Sequence, residues 1–251
     1  MRLSLLKCLS LVAFVLLGAT NISWISNHSS EISEAAIVKR IGNFFSENVV
    51  ASGRASLHTA LYDSLQLNDK GLSAEAFNYA LEGYEKLKEE GALTNESVIT
   101  IVDFDQPSHK KRMYVIDVEN GEILFNTWAA HGRGTGRETA QSFSNTPESH
   151  KSSLGFYVTS NTYYGSKGYS MRLIGLEKNL NHNALSRAIV MHGASYVSQS
   201  FINAQGYIGR SHGCPAVPQE LNRPIIDKIK HGSVLFIYNK SYKPSQKFTM
   251  S

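Results

Sequence analysis

Cys214 stands in the segment Arg210-Ser211-His212-Gly213-Cys214, and His192 lies upstream in Met191-His192-Gly193. A cysteine acts as a nucleophile through its thiolate, which a nearby imidazole or backbone N–H dipoles favour. His192 ends the β-type run Ala188-Ile189-Val190-Met191, a place from which a side chain can emerge from a sheet into a cleft, and Gly193 follows it. Gly213 lets the backbone approach a substrate closely, and the amides of Gly213 and Cys214 are candidate donors to an oxyanion. The chemistry such a set supports is acyl transfer or amide hydrolysis, with Cys214 attacking a carbonyl carbon and His192 serving as its base. Taken singly, each piece has a plainer reading: a lone cysteine usually packs as a small hydrophobe, and a strand-end histidine is usually structural. Their occurrence together favours chemistry.

The first twenty residues bear on that cysteine. Arg2 and Lys7 precede an apolar run over residues 9–17 that ends in Gly18-Ala19-Thr20, the layout of a secretory signal. The run is short for a membrane span, so residues 1–23 are expected to be a signal peptide or an N-terminal anchor, and the protein is expected to be exported to the periplasm or cell envelope. Cys8 precedes the apolar stretch and follows a lysine, which excludes a lipidated cysteine there. Removal of the signal leaves Cys214 without an intramolecular disulfide partner.

The elements that must position these residues divide the chain in two. None of the six prolines falls before Pro107, and apolar residues recur at helical spacing through Ile37, Ile41, Phe44 and Phe45, then Leu57, Leu61 and Leu65, then Phe77, Ala80, Leu81, Tyr84 and Leu87. The last set has Ser73 as N-cap and Gly91 as stop. Residues 31–92 are therefore expected to be helical. Beyond Gly91 the period changes to that of strands, over residues 98–104, 112–118, 122–129, 155–159, 188–192 and 234–238, with Asn120-Gly121 as a hairpin turn. The fold class is α+β: a mainly β catalytic domain over 97–240 behind a helical N-terminal segment. At 251 residues and 42% hydrophobic composition the chain can bury a sizeable core.

At Met191-His192-Gly193 and Arg210-Ser211-His212-Gly213-Cys214-Pro215-Ala216-Val217-Pro218 the sequence resembles the L,D-transpeptidase catalytic domain, the YkuD-type fold, whose signature is His-Gly or His-Ser followed by Ser/Thr-His-Gly-Cys. Ala130-His131-Gly132-Arg133-Gly134 and Lys151-Ser152-Ser153-Leu154-Gly155-Phe156 extend the likeness, which spans roughly residues 98–238. Two features depart from the common pattern. The interval from His192 to Cys214 is longer, and Ala216 stands where many members carry Arg or Asn; Arg210 and Arg223 are the candidates to replace that polar group.

The resemblance implies a sandwich or barrel-like β domain and a two-step acyl transfer on peptidoglycan stem peptides through a thioester on Cys214. Ser211, His212, Gly213 and Gly193 would support the site, with no cofactor and no metal. Water as acceptor would make the protein an L,D-carboxypeptidase instead. A carbapenem would be an inhibitor. Arg210, His131 and Tyr164 are candidate substrate contacts, with Tyr163 and Tyr169 beside Tyr164. The plainer alternatives are a structural role for His212 at a backbone carbonyl, a solvated turn imidazole for His131, and a core role for the tyrosines.

Three rival readings are weighed against this one. His192, His212 and Cys214 are zinc-ligand types, but there is no second cysteine nearby and no His-Glu-x-x-His motif. A non-catalytic wall-binding protein would have no reason to keep both motifs intact. Nucleic-acid binding would rest only on a charge of +4 and a pI near 8.9, without a basic and aromatic surface motif. The expected partner is thus the stem peptide, with no nucleic acid, and with membrane contact only through an uncleaved N-terminal segment.

Overall fold

The computed structural model describes residue 53 and residues 55–244. The expected signal segment, Cys8, and Ile37, Ile41, Phe44 and Phe45 lie outside the described residues. Helix α1 covers residues 55–64, and α2 runs Ala74–Glu89. The oxygen of Ser73 accepts the Ala76 amide at 3.2 Å, as expected of an N-cap. At its other end Gly91 takes φ +66°, and the Ala92 amide bonds Leu87 O at 2.9 Å, the left-handed turn that closes many helices. Phe77, Ala80, Leu81, Tyr84 and Leu87 form the buried stripe of α2, which packs against β1 and β8.

Eight strands form one mixed sheet in the order β3-β2-β1-β8-β4-β5-β6-β7. They are β1 Val98–Asp103, β2 Met113–Asp117, β3 Glu122–Thr127, β4 Gly155–Gly165, β5 Gly168–Gly175, β6 Val190–Ala194, β7 Ala216–Pro218 and β8 Val234–Tyr238. The β1–β8 and β6–β7 pairs are parallel and the remaining pairs antiparallel. Every residue of β1 and of β8 is buried. Strands covered on both faces read as continuous apolar runs, which is how Val98-Ile99-Thr100-Ile101-Val102 and Val234-Leu235-Phe236-Ile237-Tyr238 appear in the sequence. Just beyond β3, Ala130 bridges Ala216 and Gly132 bridges Ser211. These bridges tie one edge of the sheet to the other and bring it close to a closed barrel, so the expected sandwich or barrel-like domain is what forms.

Three departures from the expected strands matter for the site. The run from Ala188 to His192 does not begin a strand at Ala188, because Ala188 takes φ +52° and the ladder starts at Val190. The tract after Thr159, rich in glycine and polar residues, is a hairpin and not a loop: Gly165 faces Gly168 across Ser166-Lys167, and β5 then pairs with β6 to set Ser170 opposite His192. Two more helices fill the C-terminal half, α3 Gln199–Gln205 and α4 Gln219–Ile229. Helix α4 contains Pro224, yet Ile225, Ile226 and Ile229 are buried and it packs on β6. Gly193 makes that contact close, since a Cβ there would come within 2.9 Å of both Asn222 Cβ and Gln219 Oε1. No helix among the described residues is long and apolar enough to cross a membrane.

Candidate active site

The parallel pair β6–β7 sets His192 opposite Ala216, and Cys214 lies two residues before Ala216 in the loop that enters β7. This places Cys214 at the level of Val190, whose amide points at the sulfur. The sulfur itself is 3.7 Å from the carbonyl oxygen of Ala188, toward which its S–H is directed. The left-handed backbone at Ala188, an uncommon conformation for alanine, is what turns that carbonyl to the thiol.

His192 is buried, and its Nδ1 lies 2.9 Å from the carbonyl of Gly193. A carbonyl only accepts, so Nδ1 carries the proton and Nε2 is the basic nitrogen. Burial holds the imidazole below its ordinary proton affinity, with the Gly193 carbonyl opposing and Lys167 assisting. Burial likewise pushes the Cys214 thiol up, against the pull of the Val190 amide, Arg187, Lys167 and its own amide. Both shifts favour the uncharged forms, thiol and neutral imidazole, over thiolate and imidazolium.

Ser211 braces the loop from below. Its hydroxyl accepts the Gly213 amide at 3.0 Å and donates to the Cys214 carbonyl at 2.6 Å. The Gly213 amide, a candidate oxyanion donor from sequence, is therefore already occupied, and of the two candidates only the amide of Cys214 is left to face a substrate. Gly213 has φ +121°, and a Cβ on it would stand 2.8 Å from the Lys151 carbonyl. Ser152 holds the same segment, donating to the Gly213 carbonyl at 3.2 Å while accepting the Gly132 amide at 3.0 Å.

The other sequence candidates separate in space. His212 is exposed, its ring centroid 4.5 Å from that of His150. Burial, then Arg133, His150 and Lys167, lower its proton affinity, with Glu148 opposing. Arg210 is exposed and donates to the Gly136 carbonyl at 3.1 Å. Tyr164 is 70% exposed near the tip of the β4–β5 hairpin, 5.4 Å from the Tyr169 ring, and Arg223 caps both rings. His131 is neither a substrate-facing nor a solvated turn residue. It is 0% exposed, because the bridges of its neighbours Ala130 and Gly132 fold this segment into the closing edge of the sheet. Its Nδ1 accepts from the buried Arg112 guanidinium at 2.7 Å, and its ring meets Phe104 edge-on.

Arg210 is engaged at the Gly136 carbonyl and Arg223 over the Tyr164 and Tyr169 rings. The cations that act on the thiol are Arg187 and Lys167, which sequence reasoning passed over. Lys167 sits in a hairpin turn, and Arg187 in a polar turn before β6; neither position carries a motif, and only the tertiary contacts reveal them. Among the described residues no group of three or more His, Cys, Asp and Glu side chains could hold a metal ion.

Solved structures to which the chain is similar include L,D-transpeptidase LdtMt1 in complex with imipenem, 17% identical, covering 57% of this chain and 59% of its own with a TM-score of 0.35. L,D-transpeptidase 3 from Mycobacterium tuberculosis is 13% identical over 57% and 61% of the two chains, TM-score 0.37. The L,D-transpeptidase from Xylanimonas cellulosilytica is 18% identical over 57% and 60%, TM-score 0.33. Each alignment takes in less than two thirds of the neighbour's length. No curated protein matches the chain. A family model described as L,D-transpeptidase catalytic domain matches residues 68–238. That match takes in α2 and all eight strands and carries both the His-Gly strand end and the Ser-His-Gly-Cys loop, and on it the chain belongs to the L,D-transpeptidase catalytic domain family.

Proposed function

We propose that the protein is a cysteine-dependent L,D-transpeptidase acting on peptidoglycan stem peptides, with Cys214 as nucleophile and His192 as general base. The observation that carries this reading is the β6–β7 register, which sets a histidine with a free Nε2 beside the loop bearing the one described cysteine. In the first step Nε2 takes the S–H proton as sulfur adds to the carbonyl carbon of the stem-peptide amide. The oxyanion is held by the Cys214 amide, a contact worth about 3 kcal/mol where such donors have been removed in other enzymes. The C–N bond then breaks, the imidazolium returns its proton to the departing amine, and a thioester remains. An amine of a second stem attacks that thioester, giving its proton to His192; the new amide forms and the thiol is restored.

In an uncharged pair the proton must move as sulfur attacks, and Nε2 of His192, on the strand that pairs with β7, is the base assigned to take it. Export to the cell envelope belongs to the same proposal and rests on Arg2, Lys7 and the apolar run over residues 9–17. So does acylation by a carbapenem, whose strained amide presents the same carbonyl chemistry.

The test is incubation with defined tetrapeptide muropeptides followed by mass spectrometry, alongside Cys214→Ala. Cross-linked dimers from the wild type alone support transpeptidation. Tripeptides alone would mean that water is the acceptor and the protein is an L,D-carboxypeptidase. Turnover that survives in Cys214→Ala, with no carbapenem adduct on the wild type, would exclude the mechanism.

A further inference from the structure

Arg187 is half-buried in the turn that precedes β6, and its guanidinium spans four acceptors. One nitrogen donates to the Ser144 carbonyl at 2.8 Å and to Ser153 Oγ at 2.5 Å. The other donates to the Lys151 carbonyl at 2.7 Å and to Ser149 Oγ at 3.3 Å. These acceptors belong to the segment that packs on the cysteine loop, for the Lys151 carbonyl lies against Gly213. The residue after Arg187 is Ala188, whose left-handed backbone aims its carbonyl at the sulfur. One side chain thus fastens the 144–153 segment to the turn that touches the thiol.

We propose that Arg187 is the positioning residue for Cys214: its fork fixes the Lys151 and Ala188 carbonyls against the Gly213–Cys214 segment, and its charge faces the sulfur in place of a polar group that Ala216 cannot supply. The inference rests on the transpeptidase reading for its consequence in turnover, and on geometry alone for its consequence at the thiol. Three ionisable side chains act on this sulfur, Arg187 from the turn, Lys167 from the β4–β5 hairpin and Tyr196 beyond β6, while His192 stands on β6 opposite Ala216 and His212, in the cysteine loop itself, is exposed beside His150. Arg187 is the cation among them held by four hydrogen bonds. Burial dominates at both partners, lowering the guanidinium and raising the thiol, and against it each charge favours the other, so the pair is coupled in both directions.

The test is alkylation of Cys214 by iodoacetamide as a function of pH in the full chain, read by mass spectrometry on the Cys214 peptide, for wild type, Arg187→Gln and Arg187→Lys. Loss of a nearby cation raises a thiol's pKa, so Arg187→Gln should need higher pH to react, with the rate at neutral pH falling roughly tenfold. Arg187→Lys keeps the charge but loses the fork, since an ammonium cannot satisfy four fixed acceptors in one plane. It should titrate with the wild type while turnover falls roughly tenfold. Wild-type titration in a folded Arg187→Gln, or wild-type turnover in Arg187→Lys, overturns the inference. Should circular dichroism show Arg187→Gln unfolded, Arg187→Lys decides alone, a displaced titration or unchanged turnover counting against it. A wild type that alkylates as expected yet makes neither dimers nor tripeptides defeats the transpeptidase reading, and the titrations then decide the positioning role by themselves.

Discussion

The hydroxyl of Ser211 lies 2.6 Å from the carbonyl oxygen of Cys214, so the third residue before the cysteine sets the direction of the peptide that follows it. The Ser211 hydroxyl oxygen also accepts the Gly213 amide at 3.0 Å. Ser211 is buried, which makes both bonds costly to lose. Ser211→Ala should lower stability by about 1–3 kcal/mol in urea unfolding. It should also lower kcat by roughly a hundredfold, because the Cys214 amide loses its fixed direction. Turnover within twofold of wild type would show that the loop holds its shape without this hydroxyl.

The pH dependence of kcat/KM separates a neutral resting pair from an ion pair. His192 acts as base only when unprotonated, and burial holds its proton affinity below the ordinary value of 6.5. The acid limb should therefore have its midpoint below 6.5, with activity rising as pH increases through it and no further rise until well above neutrality. In a preformed thiolate–imidazolium pair the histidine would titrate above its ordinary value and the thiol below. An acid limb set by a thiol that titrates far below its ordinary 9.0, shown by the ultraviolet absorbance of the thiolate, would refute the neutral pair.

How legible these features were depended on the range of the interaction that fixes each. Ser73 and Gly91, which bound α2, act within one helical turn, and the apolar runs of β1 and β8 declare strands covered on both faces. His192 and Cys214 were visible because they sit in short motifs at a strand end and a loop. The hairpin joining β4 and β5 was hidden because Gly165, Ser166, Lys167 and Gly168 look like a loop until two strands pair around them. Helix α4 was masked by Pro218 and Pro224, since Pro224 lies inside the helix, beyond the first turn, and forgoes the bond its N–H would have made one turn back. Arg187 was passed over and His131 misread for one reason: their partners, at residues 144–153 and at Arg112, are distant in sequence. A cation is read as solvated unless the fold shows what it holds.

His131 carries a stability signal of its own. Burial first, then the neighbouring Arg112, drives its proton affinity down from 6.5 to about 3. A depressed folded value means that the full contribution is present above 6.5. Below that pH the unfolded chain takes up a proton that the folded chain refuses, so stability is lost as pH falls from 6.5 toward 3. Between pH 7 and pH 5 this amounts to about 2 kcal/mol from His131 alone, and buried His192 adds in the same direction. In His131→Asn, whose side-chain oxygen can still accept from Arg112, the difference in urea-unfolding free energy between the two pH values should shrink by about that amount. An undiminished difference would assign the pH dependence elsewhere.

Gly213 tests whether the loop geometry is required independently of the residues that do chemistry. Its φ of +121° is a conformation that side chains rarely adopt, and a Cβ would meet the Lys151 carbonyl at 2.8 Å and Ile189 Cδ1 at 3.2 Å. The carbonyl cannot retreat, since Arg187 holds it at 2.7 Å. In Gly213→Ala the loop itself must move, carrying the Cys214 sulfur away from the Val190 amide and the Ala188 carbonyl. The overpacking should cost about 1–3 kcal/mol of stability, well short of unfolding the domain. Turnover should fall by at least a hundredfold, because a displacement of about 1 Å at a nucleophile costs that much. Cys214 should still be alkylated by iodoacetamide. A Gly213→Ala protein with wild-type turnover would mean that the loop reaches its working conformation by another route than the one fixed by Lys151 and Arg187.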